Sequence, residues 1–233
     1  METEASRKLV LDYLAAHCLP PAPRIVDIGA GTGISSRWLA SRGWSVLAIE
    51  PNDDMRSQAQ AASDPSIRFQ SGTGEHTGLA AASADAVVCC QAFHWLEPDA
   101  ALAEFERILA PGGWTCLIWN ERDNADPFTA DFGAIIRASP ESARTEDARQ
   151  RAAHAFLTSD RSLDKQKLDF PHAQTLDEAG LLGRAFSMSH TPRSAEGKAK
   201  LGAELSACFQ RWRREDRVTL RYTTSLYLGR KRP

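Results

Sequence analysis

The segment Ile25-Val-Asp-Ile-Gly-Ala-Gly-Thr-Gly33 places an acid, Asp27, two residues ahead of three alternating glycines, Gly29, Gly31 and Gly33. Glycines at that spacing let a chain turn sharply and bring its backbone against a ligand. The spacing also sorts ligands. A dinucleotide fingerprint of the form GxGxxG needs a glycine at 34, where this chain has Ile34. A second acid, Glu50, closes the apolar run Ser45–Glu50. A carboxylate at such a strand end accepts hydrogen bonds from both hydroxyls of a ribose, or is simply an exposed charge. A third group is Gln91-Ala-Phe-His-Trp95. His94 titrates near neutrality and is a candidate general base; the competing reading is a histidine bonded within the sheet edge or packed on Trp95. Phe93 and Trp95 offer an aromatic wall or ordinary core. Asn120 and Arg122 end a further apolar run and are candidate acceptor contacts, with a surface arginine the alternative at 122.

Positioning these groups on one ligand requires several strands ending side by side. Residues 24–28, 45–50, 67–70, 85–90 and 114–119 are short apolar runs and read as strands. Helical patterns over 5–17, 32–41, 52–62 and 98–109 separate them, with Asn52 or Asp53 as a cap and Pro98 in a first turn. Pro111-Gly-Gly113 reads as a sharp stop. The alternation predicts βαβ crossovers and a parallel sheet covered on both faces. Residues 1–120 are the expected Rossmann-like core. Residues 121–165 are polar and helical, broken at Asp126-Pro127 and Ser139-Pro140, and are expected to form an inserted cap or lid. Residues 166–233 are expected to complete the sheet: a strand at 166–174, helices at 177–189 and 195–213, and an alternating last strand at 218–229.

The chain has 233 residues, with 28 Lys and Arg against 30 Asp and Glu, so no overall field draws it to nucleic acid or an anionic membrane. Basic clusters at 211–214 and 230–232 read as solvated faces. Five cysteines form no CxxC pair, and three of them lie in strand runs, which suits buried thiols in a reducing cytosol. No HExxH, GxSxG or Walker sequence occurs, and no metal site is expected. The expected setting is soluble and cytoplasmic, as a monomer or homodimer, with no nucleic-acid or membrane partner.

The stretches VDIGAGTG, AIEPNDDM, GTGEHTGL, ADAVVCCQAFHWL and FERILAPGG resemble the successive motifs of class I S-adenosylmethionine-dependent methyltransferases. They most resemble the small-molecule, methyltransferase type 11-like group that includes ubiquinone/menaquinone-biosynthesis and trans-aconitate methyltransferases. The likeness covers about residues 20–120. It implies a doubly wound, mostly parallel α/β sheet of seven strands in the order 3-2-1-4-5-7-6, the last antiparallel. It implies S-adenosyl-L-methionine as cofactor and S-adenosyl-L-homocysteine as product. Asp27 and the backbone of Gly29, Ala30, Gly31 and Gly33 would hold the methionine end. Glu50 would take the ribose, and Pro51 and Met55 would lie beside the adenine, Met55 as core being the rival. Thr73, Gly74 and Glu75 would meet the adenine edge, although the family often has aspartate where Thr73 stands. Gln91 would lie under the methionine and open onto the acceptor. About 23 residues precede the first strand, so an accessible cofactor edge, or a cover from residues 121–165 or a partner subunit, is expected. The implied activity is in-line methyl transfer to a small molecule. The alternatives are a module that holds the cofactor without turnover, an RNA or protein methyltransferase, and a nicotinamide oxidoreductase, which Ile34 disfavours.

Overall fold

A computed structural model describes residues 4–138, 140–188, 191–192 and 194–233. Positions 139 and 189, at the second expected break and the expected end of the 177–189 helix, lie outside the described residues. The elements are α1 (Glu4–His17), β1 (Arg24–Ile28), α2 (Ile34–Ala40), β2 (Ser45–Ile49), α3 (Asp53–Ala62), β3 (Arg68–Gln70), β4 (Ala84–Cys90) and α4 (Pro98–Ile108). There follow β5 (Leu109–Arg122), α5 (Pro127–Arg137), α6 (Pro140–Thr158), β6 (Leu163–Leu176), α7 (Glu178–Phe186), α8 (Ala195–Trp212) and β7 (Val218–Arg230).

The strands form one seven-stranded sheet ordered β3-β2-β1-β4-β5-β7-β6. Pairing is parallel from β3 through β5, and β7 runs antiparallel. The order reverses between β1 and β4, so the carboxyl ends of those two strands flank the switch point where such sheets bind ligands.

By contact density the chain falls into two compact units. Among the described residues, one contains 4–119 with 148–170 and 225–233; the other contains those of 120–147 and 171–224. The first is built on strict alternation. Val26, Ile28, Val87, Cys89, Leu117, Trp119 and Tyr227 point into one cluster with Phe105 and Ile108 of α4 and Ala152 and Phe156 of α6. Their neighbours Ile25, Ala86, Val88, Cys116, Ile118, Leu226 and Leu228 point into another with α1 and α2. Successive strand residues face opposite sides, so an apolar run buried on both faces fills two cores at once. The second unit packs Phe128, Phe132 and Ile136 of α5 on Leu201, Leu205 and Phe209 of α8, with Leu220 and Tyr222 of β7. Asp131 accepts from Arg211 and Trp212, both at 2.7 Å, so part of the 211–214 basic cluster is tied into this unit.

Three expectations change. Pro111-Gly-Gly113 does not end the helix before a strand at 114; it is an irregularity inside β5. Ala84 pairs with Leu109 and Ala86 with Trp114, and the extra residues are accommodated by Gly112 at φ +76°. β6 begins at Leu163, inside the expected cap. Phe93 is fully buried against Phe105 and Trp119, in the core rather than on a wall open to an acceptor.

Candidate ligand site at the carboxyl edge of the sheet

Four loops leave the carboxyl ends of β1, β2, β3 and β4, and they carry almost all of the singled-out residues. Ile25 and Asp27 share the face of β1 turned toward α2. Asp27 is therefore buried, and its Oδ2 accepts from Ser35 Oγ at 2.7 Å and Ser36 Oγ at 2.6 Å. Its Oδ1 is buried with no hydrogen-bond partner. Burial pushes the carboxyl up to about 6 against the pull of the two serines, and the charge of Glu50 adds to the rise. A buried, half-satisfied carboxylate is costly, and its free oxygen asks for a donor.

The bend after β1 is anchored by two amides, Gly29 N–H at 2.9 Å and Ala30 N–H at 3.2 Å, both donating to Ile49 O. Gly29 has φ +68°, and a Cβ there would stand 2.6 Å from the Ala92 Cβ, so the loops after β1 and β4 touch at this point. Gly31 has φ +56°, but a Cβ there would meet nothing within 4 Å. The backbone at 31 thus borders open space. Gly33 closes the turn by donating to Ala30 O at 2.9 Å and caps α2.

Glu50 is buried beside this bend. Its Oε2 accepts from Gly31 N–H at 2.8 Å and its Oε1 from Asn52 N–H at 2.9 Å. Each oxygen keeps a second lone pair. The carboxylate therefore braces the glycine loop as well as offering acceptor sites. Asn52 caps α3 by accepting from Met55 N–H at 2.9 Å. Met55 in the first turn is 45% exposed, which removes it from the core, and Pro51 is exposed. Ile34 and Trp95 are also exposed large apolar side chains, so three loops at this edge each show one.

Thr73 and His76 form a small turn through paired backbone bonds, and Glu75 accepts from Glu97 N–H at 2.9 Å. Burial raises the Glu75 carboxyl, but the backbone bond from Glu97 and its other hydrogen bonds outweigh that and leave it below its ordinary value. Gly74 is a packing glycine, since a Cβ there would fall 2.4 Å from Leu96 Cδ1. Thr77 fastens the loop, donating from N–H and Oγ1 to Glu104 Oε1 at 2.9 and 2.5 Å.

Gln91 holds φ +58° without being glycine, a strained conformation that functional loops often store. Its N–H donates to Ile118 O at 2.8 Å. His94 follows in a 3₁₀ turn, its ring 4.7 Å from that of Trp95, which is 67% exposed. Buried Trp119 donates from Nε1 to His94 Nδ1 at 3.3 Å. Burial, and then the charge of Arg149, push His94 down to about 4. The ring is therefore neutral near pH 7. An indole N–H can only donate, so Nδ1 carries the lone pair and Nε2 the proton. This geometry is that of the competing reading, a histidine bonded to a strand residue and packed beside Trp95: the one lone pair of His94 is already engaged, and what it offers is an N–H.

Asn120 and Arg122 lie in the second unit. Asn120 Oδ1 accepts from His172 Nε2 at 2.7 Å, and Arg122 pairs with Glu146 at 2.6 Å. Ser35, Ser36, Ala92 and Arg149 bear on the first unit's site without having been chosen as site residues from the sequence. Only Ser35 and Ser36, directly after the glycines, carried a local signal. Burial raises the thiols of Cys18, Cys89 and Cys116 above their ordinary value, Cys18 to about 11, so they are inert near neutrality. Among the described residues no group of three or more His, Cys, Asp or Glu converges as metal ligands, and no helix is long and apolar enough to cross a membrane.

Residues 26–117 match the methyltransferase domain family. An uncharacterised methyltransferase of Mycobacterium tuberculosis is 39% identical over 115 residues, covering 49% of this chain and 47% of that protein. The chain thus aligns with about half the length of such curated relatives. Among solved structures, a putative type II methyltransferase from Anaeromyxobacter dehalogenans superposes with a TM-score of 0.64 at 22% identity, covering 97% of this chain and 95% of that one. A Haemonchus contortus phosphoethanolamine N-methyltransferase in complex with S-adenosyl-L-methionine gives a TM-score of 0.57 at 15% identity, over 97% of this chain and 53% of its own. The last two likenesses concern the fold.

Proposed function

We propose that this chain, whose residues 26–117 belong to the methyltransferase domain family, transfers a methyl group from S-adenosylmethionine to a small acceptor. The observation that carries this reading is the bend at 29–33: the backbone at Gly31 borders open space and donates to the Glu50 carboxylate, and Oδ1 of Asp27, in the strand before it, is buried without a partner. These groups fit the cofactor. Asp27 supplies an acceptor for an ammonium, the glycine backbone a surface without side chains, and Glu50 lone pairs for sugar hydroxyls. Pro51 and Met55 supply exposed apolar contact for a flat base, with Thr73, Gly74 and Glu75 along its edge. The strained Gln91, whose loop touches Gly29, would face the methionine end.

When bound, S-adenosylmethionine supplies a methyl carbon on a sulfonium, so the acceptor's electron pair forms the new bond as the carbon–sulfur bond breaks onto sulfur. The protein's work is alignment and exclusion of water. His94 holds its proton at Nε2 and orients rather than abstracts.

Calorimetric titration with S-adenosylhomocysteine, S-adenosylmethionine and NAD tests the reading. The first two are expected to bind and NAD is not; binding of NAD, or of none of them, would overturn it. Glu50→Ala is expected to weaken S-adenosylhomocysteine binding by about 1–3 kcal/mol, since charge-assisted bonds and the brace on Gly31 are both lost. A labelled-methyl screen over metabolites then separates turnover from a module that only holds the cofactor.

A further inference from the structure

Asp27 lies in β1, which is paired on one side with β2 and on the other with β4. The residue is wholly buried. Two adjacent residues at the start of α2 meet its side chain. Ser35 Oγ at 2.7 Å and Ser36 Oγ at 2.6 Å both donate, and both donate to Oδ2. The two serines are themselves buried, Ser36 completely. Bonds this short are those of a hydroxyl to an ionised oxygen. Oδ1 is buried without a hydrogen-bond partner.

The two oxygens are thereby unequal. Oδ2 already accepts two O–H protons, so a proton that Asp27 gains has Oδ1 to sit on. The same oxygen is the one left for a cation. The nearby arginines are turned elsewhere. Arg37 Nη1, next along α2, donates to Thr32 O at 2.9 Å and Ser63 Oγ at 3.2 Å, and Arg56 Nη1 of α3 donates to Glu50 O at 2.8 Å. The groups whose charges couple to Asp27 are Glu50, a second buried carboxylate, and the Cys89 thiol of β4, which burial keeps protonated. Neither is a cation. A carboxylate in that company holds its proton up to about pH 6 until a cation reaches it.

We propose that Ser35 and Ser36 are positioning residues for cofactor capture: by occupying Asp27 Oδ2 they reserve Oδ1 for one proton or one cation, so that the ammonium of the cofactor enters as that proton leaves to solvent. Proton and ammonium compete for a single atom, and the serines set the pH at which the ammonium wins. The inference rests on the proposed cofactor site.

The test uses the full chain with its aspartate carboxyls labelled with ¹³C, and S-adenosylhomocysteine, which carries the ammonium, as probe. The Asp27 signal is assigned by its loss in Asp27→Asn. Without ligand its midpoint is expected near 6. Ser35→Ala and Ser36→Ala are each expected to move the midpoint up, since a bond to the ionised form is lost, and Ser36→Thr to restore it. Calorimetry between pH 5 and 8 is expected to show level affinity above about pH 7, and a fall approaching about tenfold per pH unit below 6. In that lower range binding should release a proton, read from the dependence of the heat on the buffer. In Ser36→Ala the fall should begin at higher pH, leaving binding several-fold weaker near pH 6.5 but within about twofold at pH 8. Asp27→Asn should flatten the profile. An Asp27 midpoint indifferent to both serines, a loss in Ser36→Ala that is equal at every pH, or wild-type affinity that does not change while Asp27 titrates overturns the proposal. Failure of S-adenosylhomocysteine to bind at any pH, with the Asp27 midpoint still moved by the serines, is instead the failure of the cofactor reading.

Discussion

Asp27 shows at the scale of one residue how function is stored against stability. Its folded value near 6 lies above the ordinary 3.8, so the folded state holds the proton more tightly than the unfolded chain. The associated stability is full below about pH 4 and is lost as pH rises through 6. Asp27→Asn keeps an oxygen for the two serines and removes the buried charge. It is expected to flatten the stability profile between pH 4 and 6, and to raise stability at pH 7.5 by about 1–3 kcal/mol in urea melts. The same change removes the anionic acceptor and is expected to weaken S-adenosylhomocysteine binding by about tenfold. A mutant that is both less stable and fully competent to bind would contradict this account. The acid and the glycines were legible in the sequence because their chemistry is local. The partners that set the state of each group were not: Trp119 is 25 residues from His94 and Arg149 is 55 from it, and no spacing rule joins them.

Among elements, the loop between β3 and β4 depends on one carboxylate. Glu104 of α4 accepts from Thr77 and from Arg107, whose Nη2 also reaches Leu79 O at 2.7 Å. Chiefly through Arg107, and against burial, Glu104 is held down to about 2. A depressed carboxyl contributes stability above its ordinary 4.5 and loses it as pH falls toward 2. Glu104→Gln is expected to cost about 1–3 kcal/mol at pH 7, a buried charge-assisted network being broken. That difference from the wild type should vanish toward pH 2. Equal urea midpoints at pH 7 would show that the loop does not need this tie. The strands through β4 were readable because each is a short run set off by helices or by the loop between β3 and β4. The start of β5 was not, because proline and glycine normally stop an element, and only pairing with β4 turns Pro111-Gly-Gly113 into a bulge.

On the scale of the whole molecule, each compact unit has its own apolar centre. Phe132 is fully buried in the second unit, against α7 and α8. Phe132→Ala is expected to cost about 3–5 kcal/mol. Hydrogen exchange should rise across residues 120–147 and 171–224 more than across 24–119. Uniform acceleration would mean that the units do not open separately. The elements of this half, α7, α8 and β7, were legible in sequence to within a few residues, but their packing was not, because the helices are amphipathic and β6 and β7 alternate with polar residues. Such patterns fit several arrangements until the partners are known.

Translation order and stacking order disagree in this sheet. β7 is synthesised after β6, yet it lies between β6 and β5. Until residues 218–230 leave the ribosome, two long strands wait with unfilled hydrogen-bonding edges, one on each side of a slot. A nascent chain halted before that point presents two sticky margins to its neighbours in a polysome. The last wedge to arrive is thus the one that makes the molecule safe from its own copies.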